Sequence, residues 1–240
     1  VTLLRFARGQ RARPLVYGHR GTRRGAPENT LLALRRALEQ GADGVELDVR
    51  LCASGEVVVL HDPDLRRVGG AELAAAKASL RELQAVDLGE GERVPTLDAA
   101  LELVLGQGAL LNIELKEDVP DQRALVAAVV QRVAARSSDE RARVLFSSFG
   151  RELCDALHAL WPEAQIAWLF ARTRTTAPPF AVAVHPQHAL ADATSIAEWH
   201  AQGLLVNAWT VNEPAQAREL SRAAIDGIVT DDVPLVVSAL

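Results

Sequence analysis

The sequence predicts an α/β protein: one (β/α)8 TIM barrel spanning residues 1–240, with a small insertion after its second strand at about 62–95. Three observations carry this. Short apolar runs of strand length alternate with stretches of helical period along the whole chain. Eight such strand–helix units can be read, which favours a closed parallel barrel over an open sheet. The length also fits: 240 residues, 49% of them hydrophobic, approach the ~250 typical of such a barrel and supply one sizeable core.

The first strand falls at 15–17, and a helical period follows over 31–40. The second strand, 44–49, is extended by a hairpin to 57–60. The connection from Asp62 to Pro95 is unusually long, and the alanine and leucine spacing within 71–86 predicts one or two short helices. Loops after strand C-termini build the open end of a barrel, so this segment is expected over that mouth. The third strand is 110–115, with a helix near 122–135. The fourth is 143–146, with a helix near 152–160. The fifth, 165–169, has no helical period after it, because 173–180 contains two prolines and reads as a loop. The sixth is 181–184 with a helix near 195–202, the seventh 204–208 with a helix near 214–223, and the eighth 227–229 before the final segment 234–240.

Composition narrows the function. A net charge of −5 gives no basic surface for nucleic acid. No apolar run approaches the ~18 residues of a membrane span. The opening Val1-Thr2-Leu3-Leu4-Arg5 lacks the apolar core of a signal peptide, so a cytoplasmic location is expected. Cys52 and Cys154 lie in no metal or redox motif and are expected to be free thiols. Only two of the 26 basic side chains are lysines, which singles out Lys116 against a strong arginine preference.

The chemistry-bearing residues gather at the predicted strand ends. Glu46 and Asp48 are two apart on one strand, so both project to one face, with Val45, Leu47 and Val49 opposite. Glu114 and Lys116 repeat the spacing on the next strand. A parallel barrel covers both faces of its strands, so three interior carboxylates there need a cation. An all-oxygen donor set suits one divalent cation, Mg²⁺ or Ca²⁺, whereas zinc favours histidine and cysteine. His19 and His61 fall at the same predicted mouth, and imidazole titrates where an acid–base pair is useful. Arg20 offers a bidentate fit to phosphate. Lys116 is expected either to face a phosphoryl group or to pair with the nearby carboxylates. Asn29 is placed to cap the helix that begins near residue 31. Trp209 ends a strand and is expected as an apolar wall, and His185 ends another and is placed to line the pocket, while His158, His188 and His200 read as ordinary packed or surface residues.

In order, the chain carries Gly18-His19-Arg20-Gly21, Pro27-Glu28-Asn29-Thr30, Glu46-Leu47-Asp48, His61-Asp62, Ile113-Glu114-Leu115-Lys116 and Trp209-Thr210-Val211-Asn212. This series resembles the glycerophosphodiester phosphodiesterase family over nearly the whole length. The resemblance implies hydrolysis of a small-molecule glycerophosphodiester to glycerol 3-phosphate and an alcohol. It implies a metal on Glu46, Asp48 and Glu114, and substrate contacts from Arg20, Lys116 and Trp209. In the implied path the glycerol 2-hydroxyl attacks phosphorus, with His19 as base and His61 as acid, the reverse assignment remaining open. Two alternatives are kept: a lysophospholipase D activity, which needs an apolar apron near Phe149, Trp168 or Phe170, and a non-catalytic phosphate-binding barrel. The loop Thr22-Arg23-Arg24-Gly25 and the stretch Arg66-Arg67-Val68 depart from the family's usual wording.

Overall fold

The computed structural model describes residues 5–9 and 11–240. Among the described residues nine strands form one sheet: β1 (Leu15–Gly18), β2 (Gly44–Leu51), β3 (Val57–Val59), β4 (Leu110–Leu115), β5 (Val144–Ser148), β6 (Ile166–Phe170), β7 (Ala183–Pro186), β8 (Leu205–Ala208) and β9 (Gly227–Thr230). β3 is the antiparallel arm of a hairpin with β2; the other eight are parallel and close through β1, which pairs with both β2 and β9. The closed (β/α)8 barrel is therefore as the sequence pattern predicts.

Residue alternation sorts two cores. Val45, Leu47, Val49, Leu111, Ile113 and Leu115 face the helices and join the main hydrophobic cluster. Inside the barrel, Leu15, Tyr17, Leu110, Leu145, Ala167, Ala183 and Val229 fill the lower part, and the fully buried Phe6 packs with them. Seven of the eight barrel strands are followed by a helix: α1 (Leu31–Glu39), α4 (Leu97–Gly106), α5 (Gln122–Ala134), α7 (Arg151–Leu160), α8 (Ala193–Ala201), α9 (Pro214–Arg222) and α10 (Val233–Val237). The short α6 (Ser138–Arg141) precedes β5. No helix follows β6, in line with the proline-bearing loop.

The periodicity reading above does not mark α4. Its sequence is apolar almost throughout, so its 3.6-residue stripe of Leu97, Ala100, Leu101, Val104 and Leu105 is hidden among other apolar residues. Its start is set by Thr96, whose side chain accepts from Ala99 N–H. Between β3 and α4 the insertion carries α2 (Arg66–Gly69), a 3-10 turn at Ala75–Lys77 and α3 (Leu80–Ala85). Leu65, Ala75, Leu83 and Val94 pack with Cys52, Val58 and Leu60 of the hairpin into a small separate core. This second core lets the insertion hold a fixed shape beside the mouth.

Candidate functional site

The turn after β1 presents the first site residues. Gly18 and Gly21 allow its tight return: a Cβ on Gly18 would meet Gly21 O at 2.0 Å, and one on Gly21 would meet the Ala33 backbone at 2.4 Å. Between them Arg20 adopts a left-handed φ of 54°, and Asn29 does the same at 56°. Such non-glycine conformations cost about 1 kcal/mol or more each and persist only where contacts hold them. Here Arg20 N–H donates to Glu46 Oε2 at 2.9 Å, and Asn29 N–H donates to Arg20 O at 2.9 Å.

Asn29 is not the helix cap that the sequence pattern suggests. Thr30 caps α1 by accepting from Ala33 N–H. The Asn29 amide instead donates to Asp48 Oδ2 at 2.8 Å, while its carbonyl accepts from Asp48 N–H at 3.3 Å. A buried carboxylate claimed Asn29, and the next residue served the helix.

The parallel register of β2 and β4 sets Asp48 beside Glu114 and Glu46 beside Asn112. Ligand oxygens of Glu46, Asp48 and Glu114 lie within 4.8 Å of one another, and all three residues are buried. They are not without protein partners, as the bare need for a cation would have it. Lys116 Nζ lies 2.6 Å from Glu114 Oε1 and 3.3 Å from Asp48 Oδ1, and Arg20 Nε lies 3.3 Å from Asp48 Oδ2. Burial pushes Asp48 up, but Lys116, Arg20, His61 and the Asn29 amide outweigh it and hold its carboxyl below the ordinary value. The shortage of positive charge falls on the other two. Burial, with the Asp48 and Glu114 charges, pushes Glu46 well above the carboxylate range; burial and Asp48 push Glu114 up to about 7. Three converging hard oxygen donors short of charge fit a divalent cation.

Both motif histidines open onto the same cavity, and each is backed by a carboxylate. His19 Nδ1 is 2.8 Å from Asp231 Oδ1, and His61 Nδ1 is 2.6 Å from Asp62 Oδ1. In each ring Nε2 is left for a ligand. Asp231 is itself held, accepting from the Asn212 amide at 2.9 Å, while Asn212 Oδ1 accepts from Asp231 N–H. Asp231 escaped the sequence reading. The signal was an aspartate at the end of a barrel strand, in Thr230-Asp231-Asp232, where loop residues form the mouth.

The cavity encloses about 230 Å³. His19, Arg20, Glu46, His61, Glu114 and Lys116 line one side, with Asn112; Phe149, Leu169, Trp209 and Val229 line the other, with His185. Phe149 and Trp209 meet edge to face at 5.5 Å. Trp209 Nε1 donates to His185 O at 2.8 Å. Burial drives His185 down to about 3, and the Asn207 amide lies 2.9 Å from its Nε2, so this ring is neutral and hydrogen-bonding. Of the expected aromatic apron, Phe149 is at the cavity, Trp168 donates to Thr175 and Phe170 packs on Trp199. His158 stacks on Phe180, His188 meets Gln216 and His200 pairs with Asp226, all outside the cavity lining. Arg23 and Arg24 are exposed and face Asp231 at 3.8 Å and Asp232 at 3.2 Å. A larger open groove of about 1000 Å³ lies beside α5 and α7, lined by residues such as Asp121, Arg123 and Glu152, but it holds neither motif histidine nor the three buried acids. No helix among the described residues is long and apolar enough to cross a membrane.

Comparison with known proteins agrees with this geometry. The glycerophosphoryl diester phosphodiesterase family matches residues 19–235. A glycerophosphodiester phosphodiesterase of Caldanaerobacter subterraneus subsp. tengcongensis is 30% identical over 230 residues, covering 91% of this chain and 94% of that protein. Among solved structures, an Oleispira antarctica phosphodiesterase in complex with the product sn-glycerol-3-phosphate aligns with a TM-score of 0.86 at 29% identity, over 95% of this chain and 96% of that one. The glycerophosphodiester phosphodiesterase of Thermotoga maritima aligns at 0.77 with 30% identity, over 95% and 98% of the two chains. With its buried acids, its carboxylate-backed histidines and a likeness that runs along the barrel, this chain is an enzyme of the glycerophosphoryl diester phosphodiesterase family.

Proposed function

We propose that the chain hydrolyses glycerophosphodiesters to glycerol 3-phosphate and an alcohol, with Glu46, Asp48 and Glu114 holding one divalent cation, Mg²⁺ or Ca²⁺. The observation that carries this is the two-sided cavity: cation-binding and acid–base groups on one side, Trp209 and Phe149 on the other, in about 230 Å³. That volume suits a glycerol phosphate and leaves the alcohol outside. Of the three aromatics an apolar apron would need, Phe149 alone lines the cavity, which speaks against the lysophospholipase alternative. A silent binding barrel has no use for two carboxylate-backed imidazoles. The Oleispira relative's glycerol 3-phosphate complex supports the same product here.

The bound cation would supply Lewis-acid stabilisation of charge developing on phosphate oxygens. Arg20 and Lys116 grip the phosphate from the same side. Trp209 and Phe149 present an apolar wall to the glycerol carbons. His19 removes the proton of the glycerol 2-hydroxyl as it attacks phosphorus, and His61 protonates the departing alcohol. Water then opens the cyclic phosphate with the two roles exchanged. Burial, reinforced by Lys116 and Arg20, holds His61 below its ordinary range against the pull of Asp48 and Asp62. The phosphodiester monoanion beside it opposes that and favours the imidazolium, so His61 holds its proton more firmly once substrate is bound. The unpaired buried cysteines, with burial pushing Cys154 up to about 12, support a reducing cytoplasmic setting and no thiol chemistry.

The test is product analysis on glycerophosphodiesters, their 2-deoxy analogues and lysophospholipids, with and without chelator. Glycerol 3-phosphate from the diesters alone, lost with chelator, is expected. Rapid cleavage of the 2-deoxy analogue would replace the attached hydroxyl by water as nucleophile, since an intramolecular nucleophile acts at an effective concentration of about 10⁵ M or more when well oriented.

A further inference from the structure

Arg67 sits in α2, on the insertion, and every nitrogen of its guanidinium is used. Nη1 and Nη2 donate to Glu28 Oε2 and Oε1 at 2.8 and 2.6 Å, and Nε donates to Asp62 Oδ2 at 2.6 Å. Both acceptors are already engaged with the site. Glu28 Oε1 also receives Arg20 Nη1 at 2.8 Å, and Asp62 Oδ1 holds His61 Nδ1 at 2.6 Å. One planar fork therefore ties the carboxylate under the phosphate-gripping arginine to the carboxylate behind the acid histidine.

The fork is delivered by a packed turn. Leu65, just before α2, is fully buried, and a Cβ on Gly69 would press within 2.5 Å of Val86 Cγ1. The neighbouring Arg66 spends its guanidinium within its own turn on Asp64. The plain alternative is a surface ion pair: the Arg67 side chain is 47% exposed, and exposed pairs contribute little to stability. That alternative predicts a small thermal effect and no kinetic one. A bidentate clamp shared by two site carboxylates predicts a kinetic effect far larger than any thermal one.

We propose that Arg67 is a positioning residue that locks Arg20 and His61 into one geometry, and that carrying it is the task of the insertion. This rests on the phosphodiesterase reading above. The experiment compares the metal-loaded full chain with Arg67→Ala and Arg67→Lys on glycerophosphocholine and on the p-nitrophenyl diester of glycerol 3-phosphate, with melting temperatures alongside. Arg67→Ala should lose kcat on glycerophosphocholine by about 10²-fold, the scale of an ångström-sized misplacement. The loss should be smaller for the nitrophenyl diester, whose leaving group needs no proton, while KM rises on both as Arg20 is freed. Lysine, a point charge unable to meet two carboxylates at once, should restore only a small part. The melting temperature should stay close to the parent's. Unchanged kcat with a lowered melting temperature, equal losses on both substrates, or full rescue by lysine would overturn the proposal. An unmodified chain that cleaves neither substrate would overturn the phosphodiesterase reading, and this inference with it.

Discussion

His19 and Asp231 are 212 positions apart, yet Nδ1 and Oδ1 meet at 2.8 Å. The closure of the barrel does this, since β1 and β9 are hydrogen-bonded neighbours and His19 N–H donates to Thr230 O. Asp231 holds the imidazole by Nδ1 and leaves Nε2 facing the cavity. Burial pushes Asp231 up, but the His19 hydrogen bond, with Asn212 and Arg23, outweighs it and keeps it ionised.

Asp231→Asn keeps the shape and removes the charge. The expected result is a kcat loss on the order of 10²-fold, the low end of what acid–base groups contribute, with KM and melting temperature nearly unchanged. Steady-state kinetics beside a thermal melt check it. An unaltered kcat would reduce Asp231 to a structural ligand of the turn.

Glu46 behaves in the opposite sense. Its folded-state pKa is raised, so the metal-free folded protein binds more protons than the unfolded chain above the ordinary glutamate range. Stability of the metal-free form therefore falls as pH rises through that range. Glu46→Gln removes this penalty. The variant should melt higher than the parent in chelator at neutral pH, and lose most of the rise in melting temperature that Mg²⁺ or Ca²⁺ gives the parent. Melts with and without metal across pH decide it, and a variant that still gains the parent's full metal shift would remove Glu46 from the ligand set.

As the proposed acid, His61 should set one limb of the pH profile. An acid must carry its proton, and burial lowers the pKa of His61 in the free protein. In kcat/KM, activity should fall on the alkaline side below the ordinary imidazole range of about 6.5. In kcat, which reports the complex, that limb should move up because the substrate phosphate favours imidazolium. Coincident limbs would mean that phosphate does not reach His61.

Leaving-group chemistry separates the two histidines. His61→Ala should be nearly inactive on alkyl diesters and recover partly on a nitrophenyl diester, whose anion departs unaided. His19→Ala should recover on neither. Equal recovery of both variants would show that the roles are not divided in this way.

Much of the barrel was legible because strand and helix periods differ, and because charged residues two apart on buried strands stand out against Val, Leu and Ile. What the pattern hid has two physical sources. α4 is too uniformly apolar to show a face. Asp231, Arg67 and the bridging role of Asn29 depend on partners from other elements, brought together only by barrel closure, by the insertion's own core and by the β2–α1 approach. A residue's own neighbours along the chain can place it at the mouth, as they do Asp231, but do not name its partner. The cap illustrates the competition: at Asn29 the local preference for a helix start lost to a buried carboxylate.

The bare connection after β6 has a consequence for how such an enzyme acquires selectivity. Residues 172–176 are exposed at the C-terminal end of β6, the mouth end of the barrel, and the loop is pinned by Thr175 on Trp168 and by Arg174 on Glu198. Because no barrel helix occupies this stretch, chain can be added between those pins without unpacking a layer. A longer loop there would roof the space outside the cavity and meet the departing group first. Descendants that discriminate between head groups would be expected to have grown at this point, and a designer seeking the same discrimination has a place to begin.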